Sequence, residues 1–244
     1  MIVLVTDFGL EGPYVGQMKA VLYREATGIP VVDLFSDLAP FDPQGAAYLL
    51  GAYALAFPSG SVFLGVVDPG VGSRRRAVVV EADGRWYVGP DNGLFALVAR
   101  RAAAARWWHI TWQPEGLSDS FHGRDLFAPV AARLARGESV PGEAADPAAA
   151  VGSDWPEELA RVAYVDRFGN AITGVRAAGV QAGARIRAGG RLLSRARTFS
   201  EAAPGEGFWY ENSNGLVELA VNQGRADRDL GVALGAPVEV VAPA

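Results

Sequence analysis

Carboxylates, arginines and a histidine stand at the ends of short apolar runs in this sequence. Thr6-Asp7-Phe8-Gly9 closes the run 2–5. Open α/β sheets bind ligands at the carboxyl ends of their strands. Asp7 there either accepts hydrogen bonds from both hydroxyls of a ribose or caps the turn that follows. Gly9, Gly12 and Gly16 lack G-x-G-x-x-G spacing, so a dinucleotide is not supported. The segment 66–76, VVDPGVGSRRR, follows another apolar run. Pro69, Gly70 and Gly72 force a turn and let backbone approach a ligand closely. Asp68 and Arg74, Arg75 and Arg76 flank it, as a polar site or as a solvated loop. Without a G-K-[ST] ending it is no nucleoside triphosphate loop.

Phe121-His122-Gly123-Arg124-Asp125 precedes a predicted helix. The sequence has two histidines. His109 lies in the strand-like run Arg106-Trp107-Trp108-His109-Ile110 and reads as structural. His122 lies beside Gly123 in a loop, where general bases are often placed. Asp166-Arg167-Phe168-Gly169-Asn170 and Glu211-Asn212-Ser213-Asn214-Gly215, with Glu218 beyond, are turn-like, and hairpin chemistry explains them simply. An asparagine in such a turn can also read an adenine edge with a paired donor and acceptor.

These residues need elements to hold them. Runs 2–5, 31–35 and 61–67 read as strands. Val15, Met18, Val21 and Leu22 recur at helical spacing. Asp42 before Pro43 starts a helix that continues over 46–57, a capping carboxylate before proline at the first helical position. Segments 77–81 and 86–88 bracket Asp83-Gly84, a hairpin signal. Segments 94–101 and 126–136 read as helices. The alternation predicts an N-terminal α/β domain over 1–150 with a largely parallel or mixed sheet. The Gly-, Pro- and Ala-rich stretch 137–157 reads as a linker. Short strands then dominate, at 161–165, 184–187, 216–221 and 237–241, and predict a C-terminal antiparallel β-barrel domain over 151–244.

Composition narrows the function. Half of the 244 residues are hydrophobic, which supports packed cores. The net charge of −5 argues against nucleic acid and against a polybasic membrane surface. Without cysteine there is no thiolate catalysis and no cysteine-ligated metal. The start, MIVLVTDFG, lacks a basic region before an apolar stretch, and no run reaches the length of a membrane span. A cytoplasmic protein is expected.

Taken together, TDFG, VVDPGVGS with Arg75, PDNG at 90–93, FHGRD, VDRFGN and NSNG occur in one order across 6–215. In that order they resemble the S-adenosyl-L-methionine hydroxide adenosyltransferase family, relatives of the fluorinase and chlorinase that make 5′-halo-adenosines. The resemblance implies hydrolysis of S-adenosyl-L-methionine to adenosine and L-methionine, with no cofactor and no metal. It implies an α/β domain followed by a β-barrel domain in a homotrimer. The ligand would lie between the N-terminal domain of one subunit and the C-terminal domain of its neighbour.

Carried onto this chain, the resemblance gives Asp68, Arg75 and His122 as the set around the attacking water. Asp7 is matched to the ribose hydroxyls, Phe41 to an aromatic wall of the nucleoside pocket, and Ser120 and Phe121 to the ribose and the reacting carbon. Asp166 is matched to the methionine ammonium, Asn170 to the adenine, Phe199 to stacking on the base, and Ser213 and Asn214 to the methionine carboxylate. Glu218 joins the substrate-binding set, and Ala226 is matched to a backbone contact with adenine. Gly12 and Tyr14 stand where the halogenases use polar methionine contacts, so that part of the pocket is expected to differ.

The residue types suit in-line displacement. Sulfur leaves as a neutral thioether and needs no acid. Water needs alignment opposite sulfur and a base, for which His122 is the candidate. Arg75 would stabilise developing hydroxide, oriented by Asp68. Asp68 would repel a halide unless Arg75 neutralised it, which disfavours the alternative of 5′-halo-adenosine synthesis. A metal-dependent phosphohydrolase using Asp7, Asp68, Asp91, His122 and Asp125 is a further alternative. A non-catalytic adenosine-binding module is another.

Overall fold

The computed structural model describes residues 1–243. They form two compact units, Met1–Trp155 and a second that begins at Pro156.

In the first unit β1 (Ile2–Thr6), β2 (Val31–Phe35), β3 (Val62–Val66), β4 (Ala77–Ala82), β5 (Arg85–Pro90), β6 (Ala105–Ile110) and β7 (Gly142–Ala145) make one sheet. Its order is β2-β1-β3-β5-β4-β6-β7. β2, β1, β3 and β5 run parallel; β4, β6 and β7 join through antiparallel pairs. Every residue of β1 and β3 is buried, as expected of central parallel strands covered on both faces. The helices are α1 (Tyr14–Glu25), α2 (Pro43–Tyr53), α3 (Ala96–Arg101) and α4 (Ala128–Ala135). α2 starts as its sequence predicts, with the Asp42 carboxylate accepting from the Gly45 amide at 2.9 Å. Met18 and Leu22 of α1 and Val130 and Ala131 of α4 share one buried core with Ile2, Leu4, Val62 and Leu64. Asp83 and Gly84, both at positive φ, close the β4–β5 hairpin.

The expected linker over 137–157 is in part sheet. β7 pairs with β6 from Trp107 opposite Ala145 to Ile110 opposite Gly142. Its Gly-Glu-Ala-Ala sequence has no strand signature, and the edge of an existing sheet supplies the order. The unit extends to Trp155 because that residue packs back on it: a Cβ on Gly93 would lie 2.3 Å from the indole.

In the second unit β8 (Leu159–Val165), β9 (Ala171–Arg176), β10 (Arg185–Ala188), β11 (Arg191–Arg195), β12 (Gly207–Glu211), β13 (Leu216–Val221) and β14 (Glu239–Val241) form a sheet ordered β14-β10-β11-β12-β13-β9-β8. A bridge between Arg161 and Pro237 and the bond from Val162 N–H to Ala236 C=O (2.9 Å) bring the sheet's two ends together, so it curls on itself. Trp209, fully buried, anchors the core and donates its indole N–H to the Ala184 carbonyl. The short helix α5 (Ala226–Asp229) follows β13. The pairing is antiparallel except at β11 and β12, which run parallel over Ser194–Phe208 and Arg195–Trp209. The antiparallel β domain expected from the sequence thus contains one parallel pair.

Candidate active site

The parallel half of the first sheet delivers the site. Asp7 follows β1, Phe41 lies beyond β2, and Asp68 follows β3. Together with Ser120, Phe121 and His122 they line one cavity of about 400 Å³. Phe8, Tyr14 and Val71 complete its apolar wall. Phe8 and Val71 lie inside the TDFG and DPGVG motifs yet carry no polar group to single them out. The rings of Phe8, Tyr14 and Phe121 touch one another, with centroids 5.5–5.9 Å apart.

Behind this wall Arg75 joins Asp68 to His122. Its Nε donates to Asp68 Oδ1 at 3.0 Å and its Nη2 to Asp68 Oδ2 at 2.6 Å. The two side chains are only 8% and 4% exposed, so the pair is held away from water. Nη1 donates to the Arg76 carbonyl, and the guanidinium lies over the Phe127 ring. Nη2 also meets His122 Nδ1 at 3.2 Å. A guanidinium only donates, so Nδ1 is the acceptor and the proton of the neutral ring sits on Nε2. Burial, and then the Arg75 charge, hold the His122 pKa below its ordinary value; Asp68, Asp119 and Asp125 act against them. The ring is therefore neutral at neutral pH.

Local structure explains why His122 is presented. After it the chain makes a π-helical turn, Gly123–Phe127, before α4. Such wide turns are frequent at functional sites. The loop carrying Asp68 is also fastened to this segment. Gly72, at φ +77°, lies so close to Asp119 that a Cβ would meet its carbonyl oxygen at 2.7 Å.

Asp7 accepts the Phe41 amide N–H at 3.1 Å. Burial pushes its carboxyl up while that amide draws it down. Phe41 stands at φ +62°, a left-handed conformation rare for an aromatic residue, with its side chain 76% exposed. Nothing in its sequence context signals this.

The second unit, taken by itself, connects its own expected residues. Asp166 accepts from the Asn170 amide N–H at 2.9 Å and from Asn170 Nδ2 at 3.1 Å. Buried Glu218 accepts from the Tyr210 hydroxyl and from Asn212 Nδ2. Burial pushes its carboxyl up, against the hydrogen bonds of Tyr210, Asn212 and Asn170. Asn212 Oδ1 in turn accepts from the Asn214 amide, and Asn214 Nδ2 donates to Ser213 Oγ. Phe199 packs edge-on against Phe208 and Tyr210. Ala226 opens α5, whose next residue, Asp227, donates its N–H to the Gly169 carbonyl beside Asn170. The sequence did not single out Tyr210, and named Asn212 only as part of the 211–215 turn. The signal was the cross-strand pairing of Tyr210 with Glu218.

The five residues considered for a metal are not gathered into one site. Asp125 is held by Arg124, and Asp91 faces His109 at 3.9 Å. Among the described residues no three His, Asp or Glu side chains are placed to hold an ion together. No helix among them is long and apolar enough to cross a membrane.

Comparison with known proteins matches both units. The model of the SAM hydroxide adenosyltransferase N-terminal domain matches residues 2–143, and that of the C-terminal domain matches residues 160–239. An (R)-S-adenosyl-L-methionine hydrolase of Thermus thermophilus is 43% identical, over 97% of this chain and 98% of its own. A solved structure of a conserved Thermotoga maritima protein superposes with a TM-score of 0.89 at 32% identity, covering 98% of this chain and all of that one. More distant is a fluorinase of Nocardia brasiliensis, 25% identical over 56% of this chain and 54% of its own.

Proposed function

The chain belongs to the SAM hydroxide adenosyltransferase family, and from that premise we propose that it hydrolyses S-adenosyl-L-methionine to adenosine and L-methionine. The observation that carries this reading is the buried Asp68–Arg75 pair, bonded to His122, at a largely apolar cavity that Asp7 also lines. In the proposed step the water oxygen bonds to the ribose 5′-carbon. The bond from that carbon to sulfur breaks with its electron pair on sulfur, which leaves as the neutral thioether of methionine. One water proton must go. Neutral His122 takes it at Nδ1, which exchanges the Arg75 Nη2 hydrogen bond for the new N–H. Arg75 stabilises the developing hydroxide, and Asp68 fixes the guanidinium by its two-point contact. Asp7 accepts from the ribose hydroxyls. Phe41, Ser120 and Phe121 surround the nucleoside.

Asp166, Asn170, Phe199, Ser213, Asn214, Glu218 and Ala226 bind the adenine and the methionine. In a homotrimer they serve the site of a neighbouring subunit. The outward side chains of Phe41, Leu10 and Phe168, each at least 75% exposed, support such association. Light scattering on the eluting protein gives three times the chain mass if this assembly forms, and the chain mass alone if it does not. The net charge of −5 supports an enzyme without nucleic-acid partners, and a cytoplasmic location is part of the proposal.

The test of the reaction is incubation of the purified, chelator-treated protein with each sulfonium epimer of S-adenosyl-L-methionine in heavy-oxygen water. The expected outcome is equal adenosine and methionine, with the heavy oxygen in the adenosine 5′-hydroxyl and the (R) epimer consumed faster. Intact substrate, or adenosine without the label, would refute the step.

A further inference from the structure

We infer that the Pro90–Gly93 turn clamps the loop that carries Asp68 and Arg75, and that Asn92 is its positioning residue. The inference rests on the hydrolytic reading of that loop. The sheet order makes the clamp geometrically available. β5 lies between β3 and β4, so the 67–76 loop joining those two strands must pass the end of β5. β3 and β5 are parallel and Ala77 of β4 pairs with Pro90 of β5. The loop therefore begins and ends at the sheet edge where the 90–93 turn emerges.

Both ends of the loop are held by that turn. β3 stops at Val66, and the carbonyl of fully buried Val67 accepts instead from Asn92 Nδ2 at 2.8 Å. A buried carbonyl needs such a partner, and this one immediately precedes Asp68. At the other end the Asp91 amide donates to the Arg76 carbonyl at 3.0 Å, the same oxygen that accepts from Arg75 Nη1. The turn is itself fixed. Asn92 Oδ1 accepts from the Leu94 amide, Gly93 at φ +93° lies against the Trp155 ring, and the Asp91 carboxylate faces His109. The two groups that must face the water are thus positioned through backbone atoms on either side of them.

The experiment compares Asn92→Ala with Asn92→Asp. Aspartate keeps the acceptor for the Leu94 amide but donates nothing to Val67. If the clamp positions the loop, both variants lose kcat, by on the order of 10²-fold for a displacement near 1 Å. Adenosine affinity falls far less than kcat, because Val71 alone among the loop's residues belongs to the apolar wall. The His122 resonance, assigned by its loss in His122→Asn, titrates higher in both variants as Arg75 leaves Nδ1. Wild-type kcat in Asn92→Asp with loss only in Asn92→Ala would overturn the inference, leaving the residue a cap for Leu94. So would a parallel fall of kcat and adenosine affinity. A wild-type protein that leaves the substrate intact, while His122 still shifts in the variants, would refute the hydrolytic reading and leave the clamp standing.

Discussion

His122 is held by the group it must leave. Its Nδ1 faces Arg75, and its neutral form is favoured by burial and by that charge. Glutamine at this position still offers Arg75 an acceptor but takes no proton. His122→Gln is therefore expected to lower kcat by about 10²–10⁴-fold with adenosine affinity retained. The sign of the pH dependence follows. In the proposed step neutral His122 is the active form, and its pKa lies below the ordinary 6.5. kcat/KM should stay level through neutral pH and fall only in acid, and His122→Gln should lose that limb. Asp68 carries a second burden, because it pairs with a guanidinium that is 8% exposed. Asp68→Ala leaves that charge buried and unpaired, and a denaturation curve should show a loss of about 3–5 kcal/mol alongside the loss of activity. Asp7→Asn removes the charge from the expected bonds to ribose, worth about 1.5–3 kcal/mol each, and calorimetry should show adenosine affinity lower by at least about tenfold. Strand-end carboxylates and a loop histidine are local signals, and these residues do line one cavity, but their roles came from the resemblance. Arg75 as their common link was not derivable from spacing alone, since Arg74 and Arg76 stand beside it.

Element boundaries show where local sequence suffices and where it fails. β1, β2, β3, α2 and β13 are written in apolar runs and a capping aspartate, and the structure follows them. β9, β11 and β12 escaped because Gly174, a polar Arg-Leu-Leu-Ser-Arg run and a stretch crowded with Pro and Gly interrupt or flank their patterns. β7 has no pattern, only an edge to join. The parallel β11–β12 pair depends on a return of the chain that no local signal encodes. At this scale Gly72 is the sensitive point of the loop that carries Asp68. Alanine there meets both the left-handed φ, a penalty of roughly 1–2 kcal/mol, and the Asp119 carbonyl. Gly72→Ala is expected to lower the melting temperature modestly and kcat more strongly, because the Asp68 loop must move off the Ser120–His122 segment. Equal kcat in that variant would show that this contact does not set the loop.

The whole molecule carries carboxylates raised by burial in both units. Asp7, Asp91 and Glu218 all lie above their ordinary values. A raised carboxyl contributes stability that is complete below its unfolded pKa and lost as pH rises through the folded one. Asp125 and Asp227, drawn down by Arg124 and Arg225, contribute in the opposite sense and lose stability as pH falls through their lowered values. The melting temperature should therefore rise from neutral pH into mild acid and then fall, and Glu218→Gln should flatten the rise. The division into two units was legible as a change of composition, but its position at Trp155 was not, because an indole packing on Gly93 is a tertiary fact. The parallel strands β1, β2, β3 and β5 all release their chains at one edge of the first sheet, and Asp7, Phe41, Asp68 and Asn92 are carried on those four exits. These residues are thereby carried outside the strands themselves. A lineage could exchange one nucleophile for another by rewriting a single exit while the strands beneath kept their packing, so descent within this architecture is better traced through the sheet than through the chemistry at its rim.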